Sequence, residues 1–334
     1  MLKIDFLENK NIWNNFLDRQ NYLSFLQDYE YGEVEKYLGR EVIRLGIYKD
    51  NNLIGVCQVI GYQGKRGKGL VIHHGPVIEK SFFKDGLNVI LDFLFQNNLN
   101  EKYYFLRINP IDTDEQIANS FFSLGFKLAP TYAVSENFWV KELKDDQSML
   151  AEMNSNHRKT ILNSLKKPFL EIEVSKDLEK IDIFWDIYSD LSQRKKFTPY
   201  SKNLIKKEFE IFNQENKALF FLGKIENKYY SAALIIFSHK IAFYHHAASL
   251  LIKEPLNYKM QWEIIQEAKR RGCQFYNFWG IAKKDDPRHP WYGLSQFKQG
   301  FGGKLIKLLP AFDYSFSWKY YLTYVYEKIK RKKL

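Results

Sequence analysis

Residues 45–60 read LGIYKDNNLIGVCQVI, and residues 222–236 read LGKIENKYYSAALII. Aligned without gaps, both stretches begin with Leu-Gly, and Lys49-Asp50 falls on Glu226-Asn227. In each stretch a polar turn separates two apolar runs, which is the pattern of a β-hairpin. The sequence therefore predicts that one hairpin-containing unit occurs twice in the chain.

The segments that follow each hairpin extend this repeat. A further strand, a helix and another strand are predicted over 69–78, 83–97 and 102–108 in the first copy, and over 240–249, 256–271 and 273–279 in the second. Helices over 154–167, 178–194 and 201–214 lie between the two copies. We therefore predict an α/β fold with two domains of mixed sheet flanked by helices. The predicted limits are 1–153 for the first domain, 154–310 for the second, with linking helices over 154–215, and 311–334 for a C-terminal helix.

The composition is that of a globular protein with an anionic partner. Of the 334 residues, 45% are hydrophobic and 27% are charged, and the formal net charge is +11. Such a charge favours binding to nucleic acid, a phosphorylated precursor or a membrane surface. Cys57 and Cys273 lie far apart in apolar runs, as expected of buried thiols in a reducing compartment. The N-terminal MLKIDFLENK lacks the apolar core of a signal peptide, and no apolar run approaches ~20 residues, so we expect a cytoplasmic protein.

Common catalytic and metal-binding motifs are missing from the sequence. It contains no P-loop, no nucleophile elbow and no zinc-protease helix motif. Two histidine pairs, His73-His74 and His245-His246, occupy equivalent predicted strands. Because neighbouring residues of a strand face opposite sides of the sheet, neither pair is expected to chelate one metal ion. We therefore predict no metal site.

Residues 292–303 read YGLSQFKQGFGG and place Lys298 between two phenylalanines, among four glycines. One interpretation is a helix over 294–299 with Lys298 on its surface, ended by glycine and followed by a strand over 304–309. The other is that Lys298 is the cation of an active site. The first explains the glycines but not the lysine between two aromatic residues.

Six segments, in order along the chain, carry a family resemblance. They are SFLQDYEYGEVEKYLGRE (24–41), HHGPVI (73–78), YFLRINP (104–110), NHRKTILNSLKK (156–167), KMQWEIIQEAKRRGCQFYNFWGI (259–281) and GLSQFKQGFGG (293–303). Their order and spacing resemble those of the FemABX family, aminoacyl-tRNA-dependent transferases that build peptidoglycan side branches. The chain lacks a coiled-coil arm and is similar to the shorter members.

The resemblance implies a fold and a reaction. The fold would be two tandem acetyltransferase-like (GNAT) domains. The reaction would move an amino acid of the Gly, Ala or Ser class from tRNA to an amine of a peptidoglycan precursor, either lipid II or a UDP-linked muropeptide. The charged tRNA would be the donor, and no cofactor is implied.

The resemblance also implies site residues. Lys298 matches the lysine of the family's Phe-Lys pair and would stabilise developing negative charge, with Phe297 beside it as the second catalytic residue. The substrate-binding residues would be Lys36, Arg107, Asn109, Arg158, Arg194, Tyr200, Tyr244, His246, Trp279 and Phe301. For Arg158 and Arg194, each in a basic run, a solvated helix face is the alternative.

Several positions depart from the family pattern. Glu35 stands where a lysine is usual, Asn109 where an acid is usual, and Asn277 replaces an aspartate; Tyr200 and Leu204 replace an arginine and a tyrosine. These departures keep three alternatives open: a different acceptor, an N-acyltransferase of the same fold, and a non-catalytic protein that binds tRNA or precursor.

The C-terminal residues 317–334 read SWKYYLTYVYEKIKRKKL, an aromatic stripe followed by a basic end. This composition fits peripheral contact with a membrane surface or with nucleic acid, and a solvated helix end is the alternative.

Overall fold

A computed structural model describes residues 1–20, 22–64, 67–131, 134–282 and 287–331 of the chain, which divides into two compact units. The first unit comprises Met1–Glu136 together with Lys307–Leu334, and the second comprises Asn137–Ile306. These limits differ from the predicted ones at 153/154 and 310/311. The difference arises because residues 137–142 form a strand of the second sheet, whereas residues 312–315 form a strand of the first.

The helices and strands follow in chain order. Over residues 1–136 they are β1 (Leu2–Phe6), α1 (Lys10–Asp18), α2 (Tyr29–Tyr37), β2 (Glu41–Lys49), β3 (Asn52–Gly64), β4 (Gly67–His73), β5 (Val77–Ile78), α3 (Phe83–Gln96), α4 (Leu99–Lys102), β6 (Phe105–Asn109), α5 (Glu115–Ser123) and β7 (Lys127–Leu128). Then come β8 (Asn137–Glu142), α6 (Asp146–Glu152), α7 (Ser155–Leu165), β9 (Leu170–Ser175), α8 (Ile181–Lys195), α9 (Lys202–Gln214), β10 (Ala218–Ile225), β11 (Lys228–Ser238), β12 (Ile241–Ser249), α10 (Leu256–Arg270), β13 (Phe275–Gly280), α11 (Tyr292–Gln299) and β14 (Lys304–Lys307). The chain ends with β15 (Phe312–Ser315) and α12 (Lys319–Arg331).

The first unit is built on a mixed sheet with the order β1-β2-β3-β4-β6-β15-β7, and β5 pairs with β3. Strands β4 and β6 run parallel, and the crossover that this requires contains α3. The apolar face of α3, with Leu87, Ile90 and Leu94, packs in a core with Leu45 and Ile72 of the sheet. Cys57 is buried in the same core, and burial raises the pKa of its thiol.

The second unit repeats this arrangement in a sheet with the order β14-β8-β13-β12-β11-β10-β9. Strands β12 and β13 run parallel, with α10 in the crossover between them. Ile264 and Ile265 of α10 are fully buried in a core with Phe221 and Ile235 of the sheet. The predicted order of hairpin, third strand, helix and further strand is therefore present in both units, and the structure shows that the last strand is parallel to the third.

The two hairpins turn through the same backbone geometry. Asp50 and Asn51 have φ of 49° and 65°, and Glu226 and Asn227 have φ of 49° and 64°. Two consecutive left-handed residues form the tight turn that matches the twist of a hairpin. Asp50 is thus equivalent to Glu226, and the gapless alignment that places it on Asn227 is out of register by one residue. Turn geometry sets this equivalence, whereas the shared Leu-Gly letters do not.

Candidate functional site

Lys298 lies on α11 and is buried, with 5% of its surface exposed. Its Nζ donates a hydrogen bond of 2.6 Å to the backbone carbonyl of Gly280, the last residue of β13. Burial lowers the pKa of Lys298 from 10.5 to about 7, and no acidic side chain of the described residues pairs with it. A surface lysine would keep its ordinary pKa, so the interpretation of Lys298 as a solvated helix charge is wrong.

The glycines after α11 allow a backbone conformation, and a close approach to β8, that a side chain would prevent. Gly303 has φ of 104°, and a Cβ there would lie 2.5 Å from the carbonyl oxygen of Val140 on β8. Trp139, also on β8, donates its indole N–H to the carbonyl of Gly302 at 2.8 Å. The close passage of this turn along β8 fixes the C-terminal end of α11 and thereby the position of Lys298.

The Gly280 carbonyl lies near the end of the sheet at which the parallel strands β12 and β13 separate. β12 and β13 pair only over residues 241–243 and 275–277, and neither strand continues the ladder beyond those residues. Trp279 has φ of 64°, and its backbone N–H donates to Oδ1 of Asn277 at 2.8 Å. Backbone groups that leave a ladder are available to a ligand, so the parting of β12 from β13 makes this end of the sheet a candidate site.

Beside this opening, both histidines of β12 face the same acidic residue. Nε2 of His245 lies 2.9 Å from Oε1 of Glu208 on α9, and Nε2 of His246 lies 3.1 Å from its Oε2. The prediction that the two imidazoles face opposite sides is wrong, because a β-bulge interrupts alternation. Leu234 pairs with His246 and Ile235 with Tyr244, which leaves His245 as the extra residue.

The three side chains form a buried polar cluster. Burial raises the pKa of Glu208, but the charge and hydrogen bonds of the two histidines outweigh burial and lower it overall. Glu208 is therefore ionised at neutral pH. The ring of Trp279 lies 6.0 Å from the ring of His245, and the ring of Tyr200 lies 5.2 Å from that of His246. Trp279, whose ring lies near His245 of the cluster, directly precedes Gly280, whose carbonyl Lys298 contacts.

The rings of His157, Tyr258 and Phe301 pack together beside α11. Nε2 of His157 on α7 donates a hydrogen bond of 3.0 Å to the carbonyl oxygen of Phe297, because a carbonyl oxygen can only accept. Its ring lies 4.9 Å from those of Tyr258 and Phe301. Phe301 is fully buried in the second core, so its predicted contact with substrate is corrected to a packing role. Phe297 is half-buried and packs against that core.

Four further predicted residues lie in the second unit. Arg194 is bonded through Nε to Asp190 and through Nη2 to the carbonyl of Ser249 at 2.6 Å, at the end of β12. Tyr200 is 57% exposed beside His246, and is the most accessible predicted residue at the opening. Arg158 is half-buried on α7, next to His157. Tyr244 lies on β12, where burial raises the pKa of its hydroxyl.

Three predicted residues lie in the first unit. Lys36 is on α2, with its side chain 40% exposed and its Nζ 3.2 Å from Glu33. Asn109 ends β6 and is buried beside His73, its register partner on β4. Arg107 is buried among acidic residues, as described next.

Arg107 occupies an ion-pair cluster in the interior of the first unit. It donates to Asp313 from Nε and Nη2 at 2.7 and 2.8 Å, and to Glu327 of α12 at 2.8 Å. Tyr320 donates its hydroxyl to Asp313 at 2.9 Å. With 3% of its surface exposed, the Arg107 guanidinium is engaged by two carboxylates. Its predicted substrate contact is therefore corrected to a structural role.

Residue patterns did not point to Glu208 or Gly280. Glu208 fits the ordinary helical pattern of α9, and its distance along the sequence from the two histidines that it contacts matches no motif. Gly280 contributes only a carbonyl, which no side chain marks. His245 belonged to a recognised pair, but the bulge that turns it toward Glu208 leaves no signature in the sequence.

Comparison with known proteins shows what this chain is similar to. Residues 256–328, which include β13 and α11, match the family model described as the FemAB family. Lipid II:glycine glycyltransferase of Staphylococcus aureus (strain MRSA252) is 21% identical over 370 residues, covering 86% of this chain and 87% of that protein.

Solved structures share the fold of this chain. The crystal structure of FemX superposes with a TM-score of 0.85 at 19% identity, covering 97% of this chain and all (100%) of that one. A tandem GNAT protein from the clavulanic acid biosynthesis pathway superposes with a TM-score of 0.57 at 8% identity, covering 95% and 99%. The fold is therefore the predicted pair of GNAT-like units. In its matched C-terminal segment, in its similarity to a lipid II:glycine glycyltransferase and in its fold, the chain is similar to members of the FemABX family.

Proposed function

We propose that this chain is an aminoacyltransferase that moves an amino acid from aminoacyl-tRNA to an amine of a peptidoglycan precursor. The observation that carries the proposal is Lys298, a buried lysine whose amine lies at the parting of β12 and β13, inside the segment that matches the FemAB family. The similarity to a lipid II:glycine glycyltransferase supports the substrate class.

The chemistry needs a cation more than it needs a nucleophile. The ester of aminoacyl-tRNA is already activated, so the enzyme has to hold a neutral amine against the ester carbonyl. An amide bond forms, the bond to the ribose oxygen breaks, and the proton of the attacking amine leaves with the ribose hydroxyl. Negative charge develops on the carbonyl oxygen and then on the ribose oxygen.

The geometry of Lys298 suits that charge. An ammonium group has three N–H donors, and the Gly280 carbonyl takes one. Two donors remain for a developing oxyanion in a site from which burial excludes water. Electrostatic stabilisation of this kind contributes ~3–4 kcal/mol in known oxyanion holes.

The acceptor is a phosphate-bearing precursor in this proposal. The net charge of +11 favours an anionic partner. Arg194 at the end of β12 and the exposed Tyr200 flank the opening, where a precursor could be bound. Lys36 is the most exposed predicted basic residue of the first unit.

Membrane contact through α12 completes the proposal. Tyr320, Thr323 and Glu327 of this helix are buried, whereas Trp318, just before it, and Leu322 are 69% and 63% exposed. Val325 and Ile329 continue the exposed apolar stripe, and basic residues follow in the sequence. An apolar stripe beside basic residues suits the surface of an anionic bilayer. Residues 332–334, which belong to the predicted basic end, lie outside the described residues.

Within the described residues, no helix has both the length and the apolar character needed to cross a bilayer. The proposed contact is therefore peripheral. Because charged tRNA is a cytoplasmic substrate, the proposal places the reaction in the cytoplasm, at the inner face of the membrane for a lipid-linked acceptor.

The test is transfer of a labelled amino acid. The purified chain is mixed with tRNA charged with radiolabelled Gly, Ala or Ser, and lipid II and UDP-MurNAc-pentapeptide are offered separately. We expect label to reach one acceptor and to be lost after treatment with RNase. Transfer that resists RNase would favour another acyl donor, and binding of charged tRNA without transfer to either acceptor would favour a non-catalytic protein.

A further inference from the structure

The second unit contains a set of metal-ligand atoms that the aminoacyl transfer does not use. Nε2 of His245, Nε2 of His246 and the carboxylate of Glu208 offer one ligand atom each, and these atoms lie within 4.8 Å of one another. The two imidazole rings lie 3.8 Å apart between centroids. Two imidazoles and one carboxylate are the protein ligands of many zinc and non-haem iron sites.

The backbone, rather than side-chain flexibility, brings these ligands together. The bulge at His245 turns two consecutive residues of β12 toward α9. Glu208 is 4% exposed and His246 is 8% exposed, so both are held by the surrounding packing. A preformed ligand set of this kind binds an ion without an entropic cost of ordering its side chains.

The charge of the cluster also favours a cation. The ion pairs recorded for Glu208 are with the two histidines, and no lysine or arginine of the described ranges pairs with it. A buried carboxylate is costly unless a positive charge compensates it. Protonated imidazoles compensate it by charge and neutral imidazoles only by hydrogen bonds, whereas a divalent ion would supply both charge and coordination.

We propose that Glu208, His245 and His246 bind a divalent transition-metal ion of the zinc class. On binding, each imidazole would ligate through Nε2, which gives up the proton that it donates to Glu208 and leaves the ring protonated on Nδ1, and Glu208 would ligate through a carboxylate oxygen. Three protein ligands leave a coordination position for water or for an oxygen atom of a ligand. Tyr200 and Trp279, whose rings contact the two histidines, would border that position.

The experiment measures the stoichiometry of metal binding. The untagged full-length chain is stripped with chelator, dialysed against ZnCl₂ and analysed for bound zinc, and titration with Co²⁺ reports coordination through its visible absorption. We expect one equivalent of zinc and a cobalt spectrum typical of tetrahedral or five-coordinate nitrogen and oxygen ligation. Less than about a tenth of an equivalent in a protein of intact circular dichroism would overturn the proposal.

Variants locate the ion. Glu208→Gln and His245→Asn are expected to weaken zinc binding by more than about a hundredfold, because each removes a ligand, and even a change to a residue that only supports a ligand typically costs ~10–100-fold. His289→Asn, which removes a histidine of another segment, is the control and should bind zinc like the wild type. If Glu208→Gln does not fold, His245→Asn carries the test, since His245 is the less buried histidine. Zinc binding that survives His245→Asn in a folded protein would contradict the assignment.

Discussion

At the scale of single residues, the side-chain amine of Lys298 is protonated, and so positively charged, over only part of the physiological pH range. Burial lowers its pKa to about 7, so the protonated fraction falls as the pH rises above that value. The acceptor amine behaves oppositely, because its reactive neutral fraction grows about tenfold per pH unit below an ordinary amine pKa of ~10.4.

These two titrations give a distinctive pH dependence. If Lys298 acts as a cation, the logarithm of the single-turnover rate should rise with a slope of about 1 below pH 7 and become flat above it. A neutral Lys298 that acts as a base would instead give a slope of about 2 below pH 7 and about 1 above. Quenched-flow measurements between pH 5.5 and 9 distinguish the two, and a slope of 1 throughout would mean that the titration of Lys298 does not affect the rate.

Substitutions of Arg107 and Lys36 distinguish a structural role from a binding role within the first unit. Arg107→Leu leaves Asp313 and Glu327 as unpaired buried carboxylates, and we expect a loss of ~3–5 kcal/mol in the free energy of unfolding. Lys36→Met removes an exposed ion pair and should cost less than ~1 kcal/mol. Urea unfolding measures both. A stable Arg107→Leu protein with a raised KM for the precursor would restore Arg107 as a substrate ligand.

At the scale of elements, the turn after α11 determines where Lys298 lies. Gly303→Ala would place a methyl group against the Val140 carbonyl in a left-handed backbone, so we expect a loss of ~2 kcal/mol or more in stability, together with reduced transfer. Gly293→Ala, on α11 with open space around it, is the matched control and should be neutral or stabilising by ~0.5–1 kcal/mol. Equal thermal stability of the two variants would contradict the proposed role of the turn.

The exposed stripe of α12 gives a second prediction at this scale. Replacing Leu322 and Ile329 together by serine should lower partitioning onto phosphatidylglycerol-containing vesicles by about tenfold, since two exposed apolar side chains lose their contact with lipid. Co-sedimentation measures the bound fraction, with phosphatidylcholine vesicles as the uncharged comparison. The fold should be unaffected, because the buried face of α12, with Tyr320 and Glu327, is unchanged. Unchanged binding would remove α12 as a membrane contact.

At the scale of the whole molecule, the sequence predicts those features that depend on neighbouring residues. Both hairpins, the crossover helices and the parallel strands could be located because turn residues and apolar periodicity are local signals. The helix predicted over 154–167 is present as α7, and the side chain of Asn154 caps it by accepting from the backbone N–H of His157. The order and spacing of six segments carry the resemblance to the FemABX family, which no single segment does.

The features that sequence reasoning did not find depend on distant residues. Arg107 meets Asp313 and Glu327 across more than 200 positions of the chain, so no local pattern shows that the C-terminal segment belongs to the first unit. Glu208 meets two histidines because of a bulge, and a single extra residue in a ladder reverses which side chains share a face. The electrostatic state of Lys298 likewise depends on burial, which the Phe-Lys pair does not encode.

The central claim is that Lys298 is the cation of an aminoacyl transfer. The measurement that tests it most directly is the single-turnover rate of transfer from charged tRNA by Lys298→Met, with Lys304→Met, an exposed lysine change on β14, as control. We expect Lys298→Met to lose about 10²–10³-fold in rate while it folds and binds charged tRNA like the wild type, and Lys304→Met to keep the wild-type rate. A folded Lys298→Met protein that transfers at the wild-type rate would contradict the claim.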